Sequence, residues 1–484
     1  MRNWLVILVF GALSFLLYFP ILGNGFLMDD YASLYRLLIE KRVPFLETVR
    51  PLMDISFSFN YFLSGLHPVS YYIFNFLVHT FVCYLVYRVA MDLALFSGRR
   101  HVAYAMTAGL LFVIYPFHNE GVVWLSGRLP SMAALFGLLA IHFSLMKRWP
   151  RGPLLAAGCW FAGLFAYESI IVLPGVVLLF EWIKFRDIRR GIRTAAVWVA
   201  AGVVWLAMRY FFAGGLLSPY SPGPNAGNPV ALRFVKVLGR CFLPPEENSK
   251  LMMILFAGVV LVIAVVHIVF WRQILHSQSP RGTSVRDRRG WSYLALEAGF
   301  LVSLLPAVVA GVSTRTSEGD RLLYFPSAIL CLLAGAVVFT LLPGRRWRQL
   351  VFGGYALLSV VFIMGNNRRW VFASRTADST MALLRHAQGR VVLVNAPDEW
   401  EGAYIFRNNW KEGLTINGVD SNKVVVAHFL TRLEYLPVNG RIEPVQMGNS
   451  IFIYPATRIE KDSSCGEERV YYWDKYEWKV LILK

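Results

Sequence analysis

Charge is scarce in this 484-residue chain. Asp, Glu, Lys and Arg together make up 16% of it, and 56% is hydrophobic. A soluble fold of this length needs more charged surface, so the composition excludes an ordinary soluble enzyme and matches a polytopic membrane protein. Acid is scarcer than base: 30 Asp and Glu against 48 Lys and Arg, a formal net charge of +18. In a soluble chain that excess would suggest nucleic acid. Here the basic residues sit in short clusters between apolar runs, the pattern of membrane orientation, and no nucleic-acid partner is expected. Cysteine is rare too, at five. Cys83, Cys159 and Cys331 fall inside apolar runs as packing residues. Cys241 and Cys465 fall on the expected outer side, where a disulfide is permitted. No cysteine pair has metal-ligand spacing. No Asn-x-Ser/Thr sequon occurs, which favours a bacterial inner membrane over an endoplasmic reticulum. Neither a tetratricopeptide-like period nor a low-complexity tract is visible.

Long apolar runs are abundant. Those of helix length are Trp4–Leu22, Pro68–Phe96, Val102–Tyr115, Leu129–Met146, Leu154–Tyr167, Ile170–Ile183, Thr194–Phe212, Leu251–Trp271, Tyr293–Val312, Leu322–Leu342 and Leu350–Met364. They predict about eleven transmembrane helices, with the third, fifth and sixth short for a span. Alternate connections share a side. Arg99-Arg100, Lys147-Arg148-Arg151, Lys184 to Arg193, Arg272 to Arg289 and Arg345-Arg346-Arg348 mark one set as short and basic, hence cytoplasmic. The amino terminus is then inside and everything after about residue 365 outside. The first run lacks a small-residue cleavage site, since Gly23-Asn24-Gly25 leads straight into Phe26 and Leu27, and it reads as a retained span.

The expected fold is therefore a polytopic α-helical membrane part, residues 1–365, followed by a small extracytoplasmic α/β domain, residues 366–484. In the latter, "GRVVLVNAPDEW", "KVVVAHFL" and "NSIFIYPA" read as strands, and "RVYYWDKYEWKVLIL" as two strands around an Asp-Lys turn. "STMALLRHA" reads as a helix ahead of them. An outer loop from Gly23 to about His67 carries Asp29, Asp30, Glu40, Glu47, Arg50 and Asp54; its Leu34, Leu37, Leu38 and Phe45 suggest an amphipathic segment on the membrane surface. A second loop, Ala213 to Lys250, contains "SPYSPGPNAGNP", a connector or a lid but no regular helix.

Polar residues near spans cost free energy and usually face a cavity or one another. Here they gather at the outer ends: Asn75 and His79, four apart on one helical face; His118, Glu120 and Arg128 in "YPFHNEGVVWLSGRLPS"; Glu168; Arg209; and Glu318, Asp320 and Arg321. Each has a plain structural reading. Arginines snorkel, an Asn–His pair bridges helices, and adjacent acids in a loop are solvated. Together, two acids, a His and three arginines facing one compartment suit acid–base chemistry beside an anionic lipid headgroup.

Four ordered motifs then carry a family resemblance. They are "FLMDDYASL"; Arg50-Pro51-Leu52 with Gly65-Leu66-His67-Pro68, Tyr71, Asn75 and His79; Pro116, His118, Glu120, Gly127 and Arg128; and "GDRLLYFPS". Over about the first 340 residues the chain resembles the glycosyltransferase C (GT-C) superfamily, and within it the membrane half of the transmembrane and tetratricopeptide-repeat-containing O-mannosyltransferases. Asp320 stands where that family often has Glu. The repeat domain is absent, so neither sugar nor acceptor carries over.

The resemblance implies a GT-C-like fold and transfer of a sugar from a polyprenyl-phosphate carrier to an acceptor hydroxyl on a protein Ser/Thr, a glycan or a lipid. Asp29 matches the family's base, with Asp30 orienting it or sharing the load. Arg128, Arg209 and Arg321 match or suit the donor phosphate. Arg50, Asn75, His79, His118, Glu120 and Asp320 are candidates for the sugar or acceptor site. A phosphomonoester leaving group needs less neutralisation than a diphosphate, so no metal and no cofactor are expected beyond the donor lipid. A single displacement would invert the anomeric configuration. Two other classes stay open: a lipid-linked polysaccharide polymerase or ligase using a diphosphate donor, and a transporter or scaffold. The apolar span midplanes argue against transport.

Overall fold

The computed structural model describes residues 2–42, 50–146, 151–213, 229–276, 283–342, 344–387, 389–426, 429–430, 445–447, 450–453, 457–460, 468–474 and 477–483. Among them, eight helices are long and apolar enough to cross a membrane: Asn3–Ile21, Val69–Leu93, Arg128–Leu145, Ile188–Phe211, Lys250–Gln273, Gly290–Ala310, Asp320–Leu341 and Arg345–His386. The chain is a multi-pass helical membrane protein with a sheet region towards its carboxyl end. The three short runs form helices of less than spanning length by the same measure: Gly98–Val113, Gly152–Leu164 and Leu173–Phe185. The last two carry Pro153 and Pro174 as their second residues, which suit a first helical turn because that turn's N–H groups lack intrahelical acceptors.

By contacts the chain divides into two units, and not by a single cut. The first comprises Met1–Phe19, Val43–Ser56 and Tyr71–Asn366. The second comprises Pro20–Arg42, Phe57–Ser70 and Asn367–Lys484, so that parts of the first loop group with the carboxyl-terminal region.

Within the first unit, burial sorts the helices. Asp320–Leu341 and Arg128–Leu145 are 78% and 72% buried over their apolar windows, whereas Lys250–Gln273 is 6% buried. The first two form the unit's core, and the last turns an apolar surface outward, as a helix in lipid can. Small residues let the core helices approach: the Gly137 site faces Phe325 and the Gly335 site faces Tyr104 at ordinary to tight van der Waals distance.

The second unit contains a four-stranded sheet. Strand Arg390–Val394 lies between Val424–Val426 and Glu468–Asp474, parallel to both, and Glu468–Asp474 pairs antiparallel with Glu477–Leu483. Val391 to Val394 are all buried, the continuous apolar run of a parallel strand covered on both faces. Ser450–Ile453 pairs in a smaller three-stranded sheet.

Two expectations change. "STMALLRHA" is helical as expected, but as the end of one 42-residue helix, Arg345–His386, that runs on through residue 366. No proline interrupts it, and at about 1.5 Å per residue it exceeds the roughly 30 Å of a bilayer's hydrocarbon core. Leu34 is fully buried in the second unit instead of facing a membrane surface. Beyond its proline-rich stretch, the second loop contains a helix over Val230–Arg240. Residues 214–228, Phe45, Glu47 and Cys465 lie outside the described residues. Cys241 is a buried thiol that donates to the Val237 carbonyl at 3.4 Å.

Candidate functional site

In the second unit, Asp29 and Asp30 open the helix Asp29–Tyr35, where negative charge is favoured by the unpaired N–H groups of a first turn. The two differ in use. Asp30 is buried, and its Oδ2 accepts a hydrogen bond from the Leu27 N–H at 2.9 Å. Asp29 is partly exposed, and its Oδ1 accepts from Nδ2 of Asn409 at 2.5 Å. The turn before them is tied to the carboxyl-terminal segment: the Met28 N–H donates to the Ile405 carbonyl at 3.1 Å, and the Ile405 N–H donates to the Asp398 carbonyl at 2.8 Å. Met28 has φ 43°, a left-handed value unusual for a side chain of its size. A Cβ at Gly25 would lie 2.6 Å from Oδ1 of Asp378, so a side chain there would displace that carboxylate. Burial pushes the Tyr31 hydroxyl well above its ordinary range, with Asp378 adding to the shift.

The first unit holds the arginines in three different settings. Glu168 sits between two of them. Arg209 Nη1 donates to its Oε1 at 2.5 Å, and Arg50 Nε donates to its Oε2 at 3.2 Å. Burial pushes the Glu168 carboxyl upward, but Arg50 and Arg209 outweigh burial and hold it below the usual range. Arg50 also lies over the Tyr167 ring, 4.5 Å from its centroid.

A second set pairs two buried acids. Glu120 accepts from the Arg321 guanidinium and, at 2.9 Å, from the Arg321 backbone N–H. Asp320 accepts from Arg240 with both oxygens, Oδ2 at 2.6 Å. Arg240 is fully buried, and also donates to the Ser313 and Leu243 carbonyls. Asp320 is thus a counter-ion and not a side chain turned toward solvent. The Arg321 side chain keeps 27% exposure and lies over the Trp124 ring.

Arg128 differs most from expectation. It is fully buried, and its guanidinium donates to the Leu125 carbonyl at 2.9 Å, the Tyr71 carbonyl at 3.2 Å and the Ser56 hydroxyl at 3.3 Å. Its neighbours in the motif share that internal role. Asn75 donates to the carbonyls of Val122 and Trp124, tying the 115–128 loop to the helix Val69–Leu93. His79 Nδ1 meets the Tyr324 hydroxyl at 2.6 Å, and His118 Nε2 meets the Ser327 hydroxyl at 2.8 Å. Burial, then the neighbouring His79 ring, keep His118 well below the ordinary histidine range and so neutral. Gly127 explains the Gly-Arg pair: a Cβ there would lie 1.9 Å from the Glu120 carbonyl oxygen.

Two residues of these sets were not singled out from sequence: Arg240 belongs to no recognised motif, and Asn409 lies 380 residues from Asp29. Glu168 was named among the outer polar residues but given no role. Among the described residues, no group of three or more His, Cys, Asp or Glu is placed to hold a metal ion.

No family model matches the chain. Protein O-mannosyl-transferase tmtc2 of Xenopus laevis is 26% identical over 223 residues, 42% of this chain and 26% of that protein. Protein O-mannosyl-transferase TMTC4 of Homo sapiens is 36% identical over 105 residues, 19% of this chain and 14% of that protein. The matched part thus spans at most about a quarter of these curated relatives. Among solved structures, ArnT from Cupriavidus metallidurans bound to undecaprenyl phosphate aligns with 14% identity and a TM-score of 0.47, over 87% of this chain and 89% of that one. The resemblance read from the motifs is therefore also a measured one: over part of its length this chain is similar to the protein O-mannosyl-transferases of the TMTC group.

Proposed function

We propose that this chain is a membrane glycosyltransferase that moves a sugar from a polyprenyl-phosphate carrier to an acceptor hydroxyl of a protein, glycan or lipid on the extracytoplasmic side. The partial similarity to proteins named as O-mannosyl-transferases supports the reaction class. The observation that carries the mechanism is the division within the acid pair: Asp30 is buried and holds a backbone N–H, while Asp29 is the partly exposed carboxylate.

Asp29 takes the proton from the acceptor hydroxyl as that oxygen attacks the anomeric carbon. The bond from that carbon to the phosphate oxygen breaks, and the prenyl phosphate leaves as an anion. Guanidiniums stabilise its developing charge without a metal. Arg50, Arg209 and Arg321 are the cations proposed for this part, each now matched by a carboxylate. Arg128 is assigned instead to holding the 115–128 loop. Direct attack by the hydroxyl inverts the anomeric configuration.

Purified protein supplied with labelled polyprenyl-phosphate sugars and a panel of acceptors tests the reading. Transfer from a monophosphate donor, lost in Asp29→Asn, supports it. Transfer only from diphosphate-linked glycans would assign the chain to polymerisation or ligation, and no transfer at all would refute the proposal.

A further inference from the structure

We infer that Asn409 is a positioning residue for Asp29, and that the carboxyl-terminal segment 395–410 builds the seat in which the proposed base is held. The inference rests on the reading of Asp29 as the base.

Asn409 occupies the N-cap position of the helix Trp410–Ile416. Asparagine is among the residues preferred there because its side-chain oxygen can accept from the N–H groups of the first turn. Asn409 makes no such cap hydrogen bond. Its amide donates to Asp29 Oδ1 instead, at 2.5 Å. The side chain best suited to a local role is aimed at the carboxylate.

The backbone on both sides of that bond is held away from its relaxed state. Met28 lies at φ 43°, and in the facing segment Asn395, Glu401 and Arg407 lie at φ 56°, 47° and 27°. Non-glycine residues in this region cost free energy and persist only where their surroundings impose them; such outliers cluster at functional sites. Two further contacts join the same parts. The Met28 N–H meets the Ile405 carbonyl, and Gly413 packs so closely under Tyr31 that a Cβ would come within 3.2 Å of its ring. The segment and the helix that follows it thus fix the turn before Asp29, the ring after it and the carboxylate itself.

The chemical effect follows from the donor. An amide N–H on a carboxylate oxygen favours the ionised form, which can accept a proton, and fixes the plane of the group. Other charged groups on the elements packed here are Asp30 on Asp29's own helix and Arg36 just after it, Asp378 and Arg385 on Arg345–His386, Asp398, Glu399, Glu401 and Arg407 in the segment ahead of the helix Trp410–Ile416, and Lys411 and Glu412 within that helix. They are unchanged in a variant of Asn409, so a shift reports that residue.

Asn409→Asp is the decisive variant, because it keeps the shape and replaces a donor by a like charge. Transfer by the full-length protein should fall about tenfold or more in kcat at pH 7, with KM for the donor unchanged and the acidic limb of the kcat profile moved up by about one pH unit. Asn409→Ala should move the limb in the same direction by less. Carbodiimide coupling at Asp29, followed by peptide mass spectrometry across pH, reads the same carboxyl without any turnover. Coupling should persist to higher pH in both variants than in the wild type. An unchanged coupling profile would overturn the inference, as would a kcat loss with the acidic limb in place. If the wild type transfers no sugar, the functional reading fails separately, and the coupling profile still decides whether Asn409 holds Asp29.

Discussion

Asp398 is buried, and its Oδ1 has no hydrogen-bond partner among the described residues. Burial raises its carboxyl from 3.8 to about 6, against the opposing pull of Arg407. A carboxyl whose value is raised on folding favours the fold while protonated and loses that contribution as pH rises through the folded value. Asp398→Asn should therefore melt at a higher temperature than wild type above pH 6 and at nearly the same temperature near pH 4, as thermal scans at the two pH values would show. Glu168 makes the opposite case, an anion held between two cations. Removing its charge leaves Arg50 and Arg209 without their shared carboxylate, so Glu168→Gln should bind a polyprenyl phosphate more tightly, by about tenfold or 1.4 kcal/mol. Equal or weaker binding in a direct titration would make Glu168 an organiser of the arginines. Arg128 was legible as a motif position but not in its setting. Its charge and its place at a helix start suggested a ligand, while the two carbonyls and the hydroxyl that accept from it come from three separate segments. Arg128→Met should destabilise the protein by about 3 kcal/mol, through loss of those bonds, and not selectively weaken donor binding.

At the scale of elements, apolar runs located the helices well because a span must satisfy its own backbone within a fixed length. They could not separate spanning helices from short ones: Gly98–Val113, Gly152–Leu164 and Leu173–Phe185 contain apolar runs but fall short of spanning length. Nor did composition mark the end of the last long helix, since the polar residues after 366 are acceptable helix formers. The strands were legible from β-branched runs such as Val391 to Val394. The strain at Met28 and Asn395 was not, because it is imposed by contacts distant in sequence. Gly127 is the element-scale test. Glycine after Ser126 looked like a motif letter; in the fold it is the only residue size that clears the Glu120 carbonyl. Gly127→Ala should force the 115–128 loop apart and cost about 1–3 kcal/mol of stability, measurable by thermal unfolding in detergent.

For the whole molecule, the proposed orientation puts the amino terminus in the cytoplasm and the carboxyl-terminal region outside a bacterial inner membrane, on the strength of the basic loops. A reporter fused after Lys484 that is active only in the cytoplasm would contradict it if it gave signal. The carboxyl-terminal region then takes part in the proposed reaction, since its Asn409 touches the proposed base. The central claim is that Asp29 takes the proton. The most direct measurement is single-turnover transfer from a defined polyprenyl-phosphate sugar by purified Asp29→Asn, beside Asp30→Asn. Asn keeps the shape of Asp29 and cannot act as the base, so transfer should fall by about 10² or more while donor binding persists. Asp30→Asn, whose amide oxygen can still accept from Leu27, should lose far less. Wild-type rates in Asp29→Asn would contradict the account.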